Sequence, residues 1–163
     1  MAFKVFLSYS TNPDEQVLVW RLQTLAAAHG IQVYVPQRPG IPPPPSHRAI
    51  LVEGVRNAIE RCDCVLAIVT VRTGPYVEQE LNYALTRRKL IIPIVEEGVG
   101  GASFFNRFPK TFWFSARQDP GQVEAQVIEF LRQQKLSKEN LQALGALVGI
   151  GLGLLLLSAL AKK

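Results

Sequence analysis

Phe3 to Tyr9 reads FKVFLSY, and the residues that follow, Ser10-Thr11-Asn12-Pro13, end it. A short apolar run closed by small polar residues is the pattern of a parallel strand buried on both faces. Asn12 then offers a side-chain oxygen to the free amides of a helix start, and Pro13 supplies the fixed φ that suits a first turn. Leu18, Leu22, Leu25 and His29 follow at helical spacing until Gly30 stops the helix.

The same alternation continues down the chain. Ile31 to Val35 is the next strand, and a proline-dense loop runs from Pro36 to Pro45. Ser46 is placed to cap a second helix carrying Ile50, Gly54, Val55, Ala58 and Ile59, and Cys64 to Thr70 reads as a third strand. Tyr76 to Arg88 is a third helix, Leu90 to Val95 a fourth strand and Thr111 to Ser115 a short fifth. Asp119 and Pro120 open a last helix through Val123, Val127, Phe130 and Leu131. Strands alternating with helices predict an α/β, flavodoxin-like three-layer fold: a five-stranded parallel sheet with right-handed crossovers. Ligands of such sheets bind beyond the carboxyl ends of the strands, which singles out the loops after Tyr9, Val35 and Thr70. Neither a Gly-x-Gly-x-x-Gly nor a Walker loop occurs there.

The chain has 163 residues and a net charge of +5, which leaves room for one core of about 130 to 140 residues beside its tail. The basic residues are scattered through many segments, so nucleic acid is not indicated, whereas an anionic membrane surface suits a modest positive balance. Cys62 and Cys64 stand alone at C-x-C spacing, too few ligands for zinc, and read as small packing groups in a reducing compartment. His29 looks like a helix-end residue and His47 a loop residue, so no metal site and no catalytic dyad is expected.

From Leu141 to Ala161 no residue is charged, and Lys162 and Lys163 follow. A bilayer core takes about 20 apolar helical residues, so the run fits one crossing. The expected plan is a domain over 1–134, a juxtamembrane linker over 135–140 and a transmembrane helix over 141–161. Met1 to Ser10 is too short and strand-like for a signal peptide. Arg132, Lys135 and Lys138 before the run argue for a single-pass C-terminal anchor with the domain in the cytoplasm, and the two terminal lysines reduce that asymmetry. A leucine-rich helix buried in a soluble oligomer is the alternative. Gly145, Gly149 and Gly153 at four-residue spacing would line a groove where two such helices approach closely, although glycine is common in membrane helices generally.

Val5 to Ser10, the loop Gln37-Arg38-Pro39-Gly40-Ile41 and the segment Tyr76-Val77-Glu78-Gln79-Glu80-Leu81, in that order and spacing, resemble the Toll/interleukin-1 receptor (TIR) domain. The first matches the family's opening strand, the second its BB loop, the third the aromatic-valine-x-x-glutamate opening of its third helix. The resemblance covers Met1 to about Gln134. It implies that Glu80 is the catalytic residue of a prokaryotic NAD-cleaving enzyme, with NAD as substrate and no cofactor. Tyr76 stands where the family usually has tryptophan, Gly74-Pro75 where a serine is frequent, and Pro42 to Pro45 stiffen the BB loop or present a ligand to an aromatic groove.

Periodicity alone does not choose Glu80. Val77, Leu81, Ala84 and Arg88 share a helix face, and Glu78 and Glu80 are read as flanking it on opposite sides. Tyr76 four residues before and Tyr83 three after would set Glu80 between two rings, while a helix start that favours acids fits Glu78 equally. One carboxylate suffices for this chemistry because nicotinamide leaves NAD as a neutral base and needs no acid, unlike the alcohol of an ordinary glycoside. Glu80 is assigned to the ribosyl cation and the ribose hydroxyls, Tyr76 to stacking on nicotinamide, Ser8, Tyr9 and Ser10 to the nucleotide and Arg38 to phosphate.

Three functions follow. The leading one is a membrane-anchored enzyme of antiviral immunity that hydrolyses or cyclises NAD and is switched on by self-association through domain and tail. The second is a non-catalytic TIR adaptor, which has no need of the Tyr76/Glu80 pair. The third is a sensor whose tail itself disrupts the membrane.

Overall fold

The computed structural model describes residues 2–10, 12–37, 51–115, 117 and 119–148. The elements run β1 (Phe3–Ser8), α1 (Pro13–Ala28), β2 (Ile31–Tyr34), α2 (Glu53–Arg61), β3 (Cys64–Val69), α3 (Pro75–Thr86), β4 (Leu90–Glu96), α4 (Ala102–Phe105), β5 (Phe112–Phe114) and α5 (Pro120–Val148). All neighbouring strands are parallel in the order β2-β1-β3-β4-β5, so the order reverses between β1 and β3. This is the expected five-stranded flavodoxin-like arrangement.

The strand residues alternate between two cores, which makes the three layers. Phe3, Val5, Leu7 and Tyr9 face Leu18, Val19 and Leu22 of α1 and Val123, Val127 and Leu131 of α5. Phe6, Val65 and Ile91 face Val55 and Ile59 of α2 and Val77, Leu81 and Ala84 of α3. All six residues of β3 are buried, as a central parallel strand requires. Asn12 caps α1 as its sequence indicates, accepting from the Asp14 amide at 3.2 Å. Asp119 does the same for α5, accepting from the Gly121 amide at 2.9 Å.

Four details depart from the sequence reading. Helix α2 begins at Glu53 with Val52 as its uncapped N-cap, while Ser46, Ile50, His47 and Arg38 lie outside the described residues. The short α4 was not expected; its Phe104 and Phe105 meet Phe108 and Trp113 edge to face, an aromatic association that local periodicity does not reveal. Helix α3 stops at Thr86, and Arg88, at φ +53°, turns the chain into β4. Helix α5 runs unbroken to Val148, so residues 135–140, expected as a linker, are helical.

Two lysines fasten that helix to the edge where the strands begin. Lys135 donates to the His29 carbonyl at 3.1 Å, and Lys138 reaches Asp63 at 2.9 Å and the Ala2 carbonyl at 3.2 Å. Among the described residues no helix is long and apolar enough to cross a membrane, and residues 149–161 of the expected span lie outside them.

Both cysteines are buried and free. Burial pushes the Cys62 thiol up to about 11 and the Cys64 thiol well above its ordinary value. At mildly alkaline pH neither is expected to react with a maleimide in the native protein, and both to react in denaturant, which mass spectrometry reads directly. Ile59 has no exposed surface in the α2/α3 core, so Ile59→Ala is expected to cost about 2 to 5 kcal/mol in chemical denaturation.

Candidate functional site

Two acids at the carboxyl ends of the strands are taken out of water and met there by hydrogen bonds. Ser8, the last residue of β1, sends its hydroxyl toward α3 and donates to Glu80 Oε1 at 2.8 Å. Glu80 is 0% exposed. A carboxylate without water must be met by hydrogen bonds, or its burial costs several kcal/mol. The helix explains the placement: Val77, Glu80, Leu81 and Ala84 are its buried residues, at the i, i+3, i+4, i+7 spacing of a core stripe. Glu80 therefore sits within the apolar face, not beside it as expected, and Glu78 is exposed.

The second acid, Glu15, was missed in the sequence. It is 3% exposed. Its Oε2 accepts the Ser10 amide at 2.7 Å and the Ser10 hydroxyl at 2.6 Å, and its Oε1 accepts the Thr70 hydroxyl at 2.5 Å. One carboxylate thus ties the exits of β1 and β3 to the first turn of α1. The available signal was the same as for Glu80, since Glu15, Leu18, Val19, Leu22 and Ala26 form the buried stripe of α1.

The other expected site residues divide. Ser8 meets Glu80. Ser10 serves Glu15 instead. Tyr9 lies in the α1/α5 core and its hydroxyl donates to the Pro36 carbonyl at 2.8 Å, pinning the exit of β2. Tyr76 is half-buried at the first turn of α3, at the same end of the helix as the strand exits. Tyr83 is seven residues further, about 10 Å along the axis. Its hydroxyl donates to Glu60 of α2, with Arg87 3.1 Å from the same carboxylate and 5.2 Å from the Tyr83 ring centre. That hydrogen bond, more than the nearby arginine, holds the Glu60 carboxyl below its ordinary value. The expected carboxylate between two rings is corrected on this point, because α3 carries Tyr83 toward the opposite edge of the sheet. Arg38 lies outside the described residues.

On the other face of the sheet, a cleft of about 520 Å³ opens between α1 and α5 beyond β3, β4 and β5, lined by Glu15, Arg21, Arg72, Glu96, Phe114 and Glu124 among others. Arg21 Nε stands 3.0 Å from Oε1 of Glu124, a buried oxygen that lacks a well-formed hydrogen bond among the described residues. Glu124 is 2% exposed, and burial pushes its carboxyl above the ordinary value against the pull of Arg21.

The description "TIR domain" fits residues 5–131, nearly the whole sheet and its helices. The chain belongs to the TIR domain family. Its fold is similar to that of the TIR domains of the activated Roq1 resistosome, with TM-score 0.55 at 12% identity over 80% of this chain and 99% of that one. It is also similar to the CMP N-glycosidase BcmB of Clostridium botulinum, with TM-score 0.53 at 17% identity over 78% and 97%. A third similar structure is the 2-deoxyribosyltransferase of Bacillus psychrosaccharolyticus, with TM-score 0.54 at 14% identity over 74% and 90%. No curated protein sequence matches the chain. TIR domains include NAD-cleaving enzymes and adaptors, so what this TIR domain does has to be argued from its own residues.

Glu15→Ala strands three donors in the core and is expected to cost about 3 kcal/mol or more in denaturant unfolding, with Glu15→Gln costing less. Glu124 gives a pH signature. Its folded-state value is raised, so the folded protein holds the proton more tightly, and stability falls as pH rises from the ordinary 4.5 through that raised value. Glu124→Gln is expected to remove this decline, seen as a flatter unfolding free energy between acid and neutral pH.

Proposed function

We propose that this TIR domain cleaves the nicotinamide-ribose bond of NAD, with Glu80 as the catalytic carboxylate and Ser8 as its positioning partner. The observation that carries the reading is the pairing of Ser8 with an acid placed on the core stripe of α3, at the strand exits beside the β1/β3 switch point. A structural role alone would be better filled there by leucine, since a buried acid contributes little to stability even when satisfied.

The chemistry needs one anion. The C1′–N bond breaks with its electron pair passing to the pyridinium nitrogen, and neutral nicotinamide leaves. Glu80 stabilises the positive charge that grows on the ribosyl carbon, and Ser8 keeps the carboxylate aimed. Water then adds at C1′ and loses a proton, giving ADP-ribose; a nucleophilic atom of the same ADP-ribosyl group would close a ring instead. Tyr76, on the strand-exit end of α3, offers a ring for the departing nicotinamide. Arg38 keeps its proposed role at the phosphates.

Because Glu80 is sealed in the single chain, ribose reaches it only after the surrounding loops shift. A resting protein that turns over slowly, and wakes when copies assemble, follows from that burial. The TIR domains of the resistosome are similar in fold, and self-association in this chain would be helped by its apolar tail, which raises local concentration on a membrane. We read residues 141–161 as that single-pass anchor, with the domain in the cytoplasm and the activity serving antiviral immunity. Two of the similar structures are by name an N-glycosidase and a deoxyribosyltransferase; the likeness is one of fold, and the proposed chemistry rests on Glu80.

The test is nicotinamide release by full-length protein reconstituted at high density in vesicles. Glu80→Gln is expected to lower the rate by about a hundredfold or more, and Ser8→Ala by about tenfold. Equal rates for wild type and Glu80→Gln would remove the enzyme and leave the adaptor. Loss of toxicity on deleting residues 141–163 with the NAD pool unchanged would favour the tail as effector.

A further inference from the structure

In a parallel sheet every strand starts at the same edge, so the turns that enter the strands form one rim. Here that rim is basic. Arg61 ends α2 before β3, Arg88 turns α3 into β4, and Arg107 and Lys110 precede β5; all four are exposed. The acids on the same rim are already engaged: Glu60 with Tyr83 and Arg87, Asp63 with Lys138 and the Lys4 amide, and Glu139 with Lys135 at 3.9 Å. The opposite rim holds Glu15, Glu80, Glu96, Glu97 and Glu124 against Arg72 and Arg117. Arg88 adds a sign of its own, because it occupies a left-handed conformation that glycine fills at lower cost.

Helix α5 links the two rims. It starts at Pro120 beside the acidic one and is clamped at the basic one by Lys135 and Lys138. The apolar run begins at Leu141, three residues beyond Lys138, or about 5 Å along the axis. The headgroup layer is about 5 to 8 Å thick on each side of the hydrocarbon, and charges in physiological salt act over about 8 Å. If the run enters the bilayer at Leu141, the basic rim cannot stand clear of the headgroups.

We infer that the strand-entry rim, through Arg61, Arg88, Arg107 and Lys110, is a docking face for the anionic headgroups of the bilayer that carries the tail. This rests on the anchor reading above and extends it. The clamped helix and the docked rim together fix the domain upright, with the Glu80 rim turned away from the membrane and the domain's sides free to meet neighbouring copies. Each basic residue near an anionic surface adds about fivefold to the docked population.

The two cysteines are buried, so a single introduced cysteine can be labelled in the full chain. Thr86→Cys reports the basic rim and Glu97→Cys the opposite one, each carrying a fluorophore, in vesicles of phosphatidylcholine with or without phosphatidylglycerol and a quencher on the headgroups. The expected result is strong quenching of the Thr86→Cys label and little of the Glu97→Cys label, with the contrast sharpened by phosphatidylglycerol. Arg61→Glu with Arg88→Glu and Lys110→Glu is expected to abolish that sharpening while leaving flotation with neutral vesicles intact. Flotation with equal quenching of both labels, or quenching blind to lipid charge and to the triple variant, would overturn the docking face and leave the anchor. Failure to float with neutral vesicles would overturn both.

Discussion

A carboxylate removed from water has to be met by donors, and this domain satisfies that demand twice at one edge of its sheet. Ser8 answers Glu80 on one face, and Ser10 with Thr70 answers Glu15 on the other. The two acids differ in what their surroundings permit. Glu15 is ringed by three donors from two strand exits, which makes it a staple holding β1, β3 and α1 in register. Glu80 is seated in a helix stripe that would otherwise be apolar, and that placement favours strength of interaction with a positive charge over strength of packing.

The same geometry joins chemistry to control. A buried anion in a low-dielectric setting stabilises a developing cation far better than one in water, but only once the cation can reach it. On the proposed reading sealing serves two ends, keeping the field strong and the resting activity low. On that same reading assembly supplies the opening, and a helix that runs unbroken from the strand exits past the strand entries would give the proposed membrane tail a direct mechanical connection to the domain. Tyr83 and Glu60, at the far end of α3, hold that helix to α2, away from the strand exits.

Most of the fold was legible in the chain because each element announces itself locally. Five apolar runs bounded by polar residues became five parallel strands, and Asn12 and Asp119 capped the helices they were expected to cap. What was hidden arises from contacts remote in sequence. The α4 turn depends on an aromatic cluster with Trp113, and the helical state of residues 135–140 depends on lysines reaching His29 and Asp63. For the site, family resemblance put Glu80 forward and Ser8 was assigned to the nucleotide, so their hydrogen bond to each other was not foreseen, and an acid on a helix's apolar stripe, the physical signal common to Glu15 and Glu80, was present in the residues and went unread. The direction of the Tyr9 and Tyr83 side chains could not be had from spacing, since each is decided by a partner in another element.

The most direct measurement is a structure of the membrane-reconstituted, assembled protein with a non-cleavable NAD analogue. Glu80 should then lie within hydrogen-bonding reach of the hydroxyls on the nicotinamide-bearing ribose, with Ser8 still beside it and Tyr76 against the nicotinamide ring. An analogue seated elsewhere while Glu80 stays sealed against Ser8 would contradict the assignment of Glu80 as the catalytic carboxylate.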